Sequence, residues 1–67
     1  MNASEINAAV VAGKLVQMHT SLTRGYVSRR GGAQVKPYAG RFGKGYRVLT
    51  PNWDSTRYCN VTYYVEA

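Results

Sequence analysis

Arginines and lysines recur beside tyrosines and glycines through the middle of this 67-residue chain: Arg29-Arg30, Lys36, Arg41, Lys44 and Arg47, with Arg24 and Arg57 at the margins. Eight of the nine basic residues and one carboxylate, Asp54, fall between Arg24 and Arg57, a formal charge of +7. Guanidinium and ammonium groups neutralise phosphates, and phenol rings stack on unpaired bases. Cations interleaved with rings therefore point to nucleic acid rather than to a bare polyanion. The expected phosphate contacts are Arg29, Lys36, Arg41, Lys44 and Arg47, joined by Arg30 at a hairpin tip, and the expected stacking rings are Tyr38, Tyr58 and Tyr64.

Catalysis finds little support. There is one histidine, His19, one cysteine, Cys59, and three carboxylates scattered as Glu5, Asp54 and Glu66. No carboxylate pair or nucleophile-base-orienter set can be assembled, so an enzyme is not expected. No metal-ligand spacing is visible, and no metal or cofactor is expected. Trp53 stands in the polar stretch Thr50-Pro51-Asn52-Trp53-Asp54-Ser55. It either folds back onto the core or anchors an interface, and Asp54 is expected to stabilise the turn.

These side chains need a scaffold, and the chain has length for a single domain spanning residues 1–67 with a thin core. Hydrophobic residues make up 45% of it, too many for an intrinsically disordered segment. From Ser4 to about Leu22 the pattern is helical, with Ser4 as cap, Glu5 in the first turn and Val11, Leu15, Met18 and Leu22 at spacings of four, three and four. Ala8 and Ala12 widen that stripe. Gly13 inside it costs about 1 kcal/mol against alanine. Ile6 and Val10 fall near the polar side, by chance or as a self-association contact.

Past Leu22 the period becomes two. Tyr26 to Arg30 and Ala33 to Tyr38 flank Gly31-Gly32, which reads as a two-residue hairpin loop. A third strand is expected from about Arg41 to Leu49, with room for a bulge at Gly43 and Gly45, and a fourth from Thr56 to Val65. In the last, Cys59, Val61, Tyr63 and Val65 face inward, and Tyr58, Asn60, Thr62 and Tyr64 outward. The expected fold class is α+β: one N-terminal amphipathic helix packed on a three- to four-stranded antiparallel sheet, an α-β-β-β-β meander. Arg29, Lys36, Tyr38, Arg47, Tyr58 and Tyr64 would then share the sheet face away from the helix.

Lys44-Gly45-Tyr46 resembles part of the RNP1 signature of RNA-recognition motifs, yet Arg47 stands where that signature requires a small residue. A phosphate-binding loop fails as well, because Gly45 replaces the Ser or Thr that should follow the lysine. In size, in its short helix followed by Gly/Tyr/Arg-rich strands, and in the run from Tyr38 to Tyr46, the chain resembles the small accessory proteins encoded by bacteriophages and prophages. The resemblance is one of style and covers roughly Gly25 to Val65.

The expected function is that of a small basic nucleic-acid-binding protein, for DNA or RNA, with little sequence specificity. The alternative, to which the phage resemblance adds weight, is an inhibitor or adaptor that docks on an acidic surface of a host protein or defence complex through Trp53 and Tyr64. A homodimer through Ile6 and Val10, or through an open strand edge, is a further possibility. The lone cysteine and the lack of a positive leader make the cytoplasm the expected compartment. The apolar run Ala8 to Gly13 is far shorter than the ~20 residues that span a bilayer, so no membrane partner is expected.

Overall fold

Gly13 adopts the left-handed φ of 75° and stops the helix after nine residues. Its N–H donates to the Val10 carbonyl at 3.0 Å, and the Lys14 N–H donates to the Ala9 carbonyl at 2.8 Å. This is the Schellman arrangement, in which a glycine just past the last turn satisfies two carbonyls the helix leaves open. At the other end the cap is Asn2 rather than Ser4. Asn2 Oδ1 accepts from the Glu5 N–H at 2.9 Å, and the Asn2 N–H donates to Glu5 Oε1 at 3.0 Å. That reciprocal pair is a capping box. Between these signals lies α1 (Ala3–Val11).

The computed structural model describes residues 1–67. After α1 come β1 (Leu15–Arg24), β2 (Gln34–Gly40), β3 (Gly43–Pro51) and β4 (Tyr58–Glu66), an α-β-β-β-β chain with the helix packed on one antiparallel sheet. The strand order is β1-β4-β3-β2. A meander runs through β2, β3 and β4, and β1 lies on the outer side of β4. No helix is long and apolar enough to cross a membrane.

The first strand comes from residues whose spacing reads as helix. Leu15 and Gln17 pair with Glu66 and Tyr64, but the register then shifts, so that His19 pairs with Tyr63 and Leu22 with Asn60. One extra residue at this bulge resets the alternation. Leu15 and Leu22, seven apart, therefore reach the same side of the sheet, which an unbroken strand forbids. Tyr26 to Arg30 is not a strand but part of the long β1–β2 connection, where Arg29-Arg30 form the corner of a turn closed by Gly31 N–H to the Ser28 carbonyl at 3.2 Å. The tight hairpin lies further on. Gly40 pairs with Gly43 around the two-residue loop Arg41-Phe42.

Core residues sit on both sides of the sheet. Toward the helix, Ile6, Leu15 and Val48 pack together with Ala9, Val10, Val35, Tyr46 and Tyr64 around them. Ile6, expected on the polar side, is 1% exposed, while Val11, expected in the apolar stripe, is 88% exposed. Val10 packs beside Ile6, so both belong to the core rather than to a self-association patch. A nine-residue helix uses the face that meets the sheet, and that face is Ile6, Ala9 and Val10.

On the far side, Leu49, Cys59 and Val61 form a second cluster closed by Val27 from the β1–β2 connection. The inward set Cys59, Val61 and Val65 is buried as expected, but it turns away from the helix. With eight of 67 residues buried, each cluster is small, and any loss should tell on stability.

Gly45 lies flush against β4. A Cβ there would fall on the Tyr64 carbonyl oxygen and 2.8 Å from Val65 Cα, both backbone atoms that cannot give way. Gly31, by contrast, would place a Cβ 3.7 Å from its nearest neighbour, an ordinary contact. Urea or thermal unfolding should show Gly45→Ala destabilised by at least ~2 kcal/mol through overpacking. Gly31→Ala should stay within about 1 kcal/mol of the parent. Equal effects at the two positions would mean that β3 does not meet β4 this closely.

Candidate functional site

One cross-strand row on the far side of the sheet collects the chemistry. His19 of β1 pairs with Tyr63 of β4, Tyr63 with Arg47 of β3, and Arg47 with Lys36 of β2. At about 4.8 Å between neighbouring strands, the row spans roughly 14 Å. In the adjoining row Val65, Gly45 and Tyr38 are partners, and Gly45 contributes no side chain. Tyr38 lays its ring against Gly40, where a Cβ would fall 2.6 Å from its hydroxyl, and brings its ring centroid 4.8 Å from Tyr63.

Phe42 of the hairpin loop turns back over the same space. Its ring lies 5.5 Å from Tyr63 and 5.4 Å from His19, nearly parallel to the imidazole at 27°. The Phe42 N–H donates to the Tyr38 hydroxyl at 3.4 Å, and the Arg41 guanidinium sits 5.3 Å from the Phe42 ring. The outcome is a four-ring cluster of His19, Tyr38, Phe42 and Tyr63, edged by Arg41, Arg47 and Lys36. His19 and the three cations are exposed, and the other three rings are half-buried.

Electrostatically the row is unusual. Lys36 and Arg47 are direct cross-strand partners, an arrangement that places like charges ~5 Å apart at Cβ. No strand residue on this face is a carboxylate: Glu66 shares the helix side, Glu5 is in α1 and Asp54 is in the β3–β4 connection. Such a pair opposes folding by a few tenths of a kcal/mol up to about 1. An anion bound across both would remove that repulsion.

Of the residues expected to act together, Lys36, Tyr38, Arg41 and Arg47 meet here. Tyr64 does not, because it packs in the helix-side cluster. Tyr58 lies opposite Arg24 on the helix side of the sheet, exposed beyond the reach of the short helix. Lys44, partner of Ala39, also takes the helix side. It borders a shallow depression of about 400 Å³ whose lining includes both Lys44 and Glu66, so that hollow is not purely cationic.

Arg29 and Arg30 stand apart at the other end of the molecule. The Arg29 guanidinium sits 4.5 Å over the Trp53 ring, and its Nη2 donates to the Trp53 carbonyl at 2.9 Å. Trp53 does not fold back onto the core: it is 73% exposed. Asp54 stands in the turn beside it, where its N–H donates to Asn52 Oδ1 at 2.8 Å.

His19, Phe42 and Tyr63 were not among the expected site residues. His19 falls in a stretch whose spacing reads as helix, and Tyr63 carries the same parity as buried Cys59 and Val61. A two-residue loop between Gly40 and Gly43 was the signal that could have put Phe42 at a hairpin tip. Cys59 is buried among Val27, Leu49 and Val61 as a small apolar side chain. No group of three or more His, Cys, Asp and Glu side chains is arranged to hold a metal ion.

Replacing Lys36 by glutamate converts the cross-strand repulsion with Arg47 into attraction. Lys36→Glu should therefore raise unfolding stability by about 0.2–1 kcal/mol at low salt, a gain that shrinks as salt is added. A stability loss would show that Lys36 and Arg47 do not face each other. In comparisons with known proteins, no family model, curated protein or solved structure matches this chain.

Proposed function

We propose that this chain is a small nucleic-acid-binding module that uses the sheet face opposite its helix and reads little sequence. The observation that carries this is the Lys36–Arg47 pair set beside the His19/Tyr38/Phe42/Tyr63 cluster with no carboxylate on that face. Phosphates answer the paired cations, and base faces answer exposed ring surface. The row carries no Asn, Gln, Asp or Glu, the side chains that pair with adenine or cytosine edges, so base-edge contacts are limited to guanine through Lys36 or Arg47. Weak sequence preference follows from that composition.

One observation favours the rival reading, a phage-type inhibitor or adaptor on an acidic host surface: Trp53 is exposed and oriented by Arg29. Its second expected anchor, Tyr64, is held in the helix-side cluster and is not free to serve. The nucleic-acid reading uses more of what the sheet presents.

A salt titration tests it. Affinity for a short oligonucleotide should fall steeply with salt, and Lys36→Ala and Arg47→Ala should each lower the logarithmic salt slope by roughly 0.7–0.9, the share of one phosphate contact. Binding that stays flat from low to moderate salt would sink the proposal. So would binding that both variants leave untouched.

A further inference from the structure

We infer that Trp53 is a second stacking position on the same interface, and that the ligand is single-stranded. This rests on the nucleic-acid reading above and extends it to the other end of the sheet. Trp53 occupies a short turn held by Asp54 N–H to Asn52 Oδ1 at 2.8 Å and Ser55 N–H to the Asn52 carbonyl at 3.5 Å. It is the chain's only tryptophan, and a protein with eight buried residues leaves it 73% exposed. The largest apolar side chain available to a thin core is thus withheld from it.

The ring is nonetheless oriented. Arg29 holds it twice, through the guanidinium 4.5 Å over one ring face and through the 2.9 Å bond to the Trp53 carbonyl. One face of the indole carries a cation, and the rest stays open. A ring fixed in this way loses little freedom when a base stacks on it. Exposed, pre-oriented and cation-backed, it matches the features of a base-stacking platform.

Position connects it to the first site. Val27, two residues before Arg29, is buried against Leu49, Cys59 and Val61 on the far side of the sheet. The Arg29–Trp53 unit is therefore tied to the end of the face that carries Lys36 and Arg47. From Arg47 to Trp53 is six residues, at most roughly 20 Å of extended chain. Asp54 is the carboxylate nearest in sequence, and the basic residues in the two loops that meet here, Arg29, Arg30 and Arg57, outnumber it.

A strand lying along this track would stack one base near His19 and Tyr63 and another on Trp53, with Lys36 and Arg47 at one end and Arg29 at the other to meet its phosphates. Bases in a duplex already use both faces for their neighbours, so only an unpaired strand can engage both positions. A footprint of ~4 nucleotides or more is expected, as on other small sheet-borne single-strand sites.

The test uses the intact protein with an eight-nucleotide oligothymidylate and a duplex of equal length. The oligothymidylate should quench Trp53 emission and bind more tightly than the duplex. Trp53→Ala should weaken its binding by about 5- to 150-fold, and Trp53→Phe should restore part of the loss. Circular dichroism of both variants should match the parent, because the residue is outside the core. If binding is salt-sensitive and depends on Lys36 and Arg47 but leaves Trp53 emission unchanged, this inference fails and the sheet-face reading stands. Equal or tighter binding of the duplex overturns the single-strand assignment. No salt-sensitive binding to either ligand overturns both readings. Should Trp53→Ala abolish capture of a protein from nuclease-treated lysate while oligothymidylate binding is unchanged, the indole belongs to a protein contact instead.

Discussion

Everything in this molecule leans on β4 being filled from both sides. Cys59, Val61 and Val65 are buried away from the helix, while Tyr64 supports Ile6, Leu15 and Val48 on the other side. Its two neighbours, β1 and β3, take its backbone hydrogen-bonding groups on either flank. A one-residue slip of this strand would turn both apolar sets to the wrong side at once. Neither cluster is large enough to stand alone, so each is stabilised by the register that the other enforces. The same register sets Tyr63 beside Arg47, and hence the rings beside the cations.

The far face divides its labour along its length. At one end Val27 closes a small apolar cluster, and at the other, side chains that would repel one another or remain wet are kept in line. Gly45 and Gly40 make this compromise possible. The missing side chain of Gly45 lets β3 lie close to β4, and the missing side chain of Gly40 leaves room for the Tyr38 ring that packs against Tyr63. The unfavourable Lys36–Arg47 juxtaposition is affordable because burial elsewhere fixes the strands that carry it.

Much of the architecture was legible in the residues. The α-β-β-β-β order, the approximate extents of the last three strands and the burial of Cys59 and Val61 follow from alternation and turn chemistry. Three features were obscured for physical reasons. Gly13 carries the signature of a helix stop, but Leu15, Met18 and Leu22 continue the apparent period because a bulge imitates helical spacing. Gly31-Gly32 looks like the tighter turn, yet the hairpin closes at Arg41-Phe42, where β2 and β3 have longer flanks to pair. The register of β4 against β3 had no local marker, since both faces of β4 bear large or apolar residues. That last gap explains the site: Lys36, Tyr38 and Arg47 could be grouped from sequence, whereas Tyr63 in place of Tyr58 and Tyr64 could not.

The strand order also bears on how the chain can acquire its shape as it is made. Peptides leave the ribosome N-terminus first, at ~5–20 residues per second. The β2–β3 hairpin is local and can close within ~10 μs of emerging. Leu15–Arg24 must wait, because its only partner in the sheet is Tyr58–Glu66, the last strand to be synthesised. Until β4 is made, Val16, Met18 and Leu22 have no strand to pair with, and the open edge they form is the part of the chain most exposed to pairing with a neighbouring molecule.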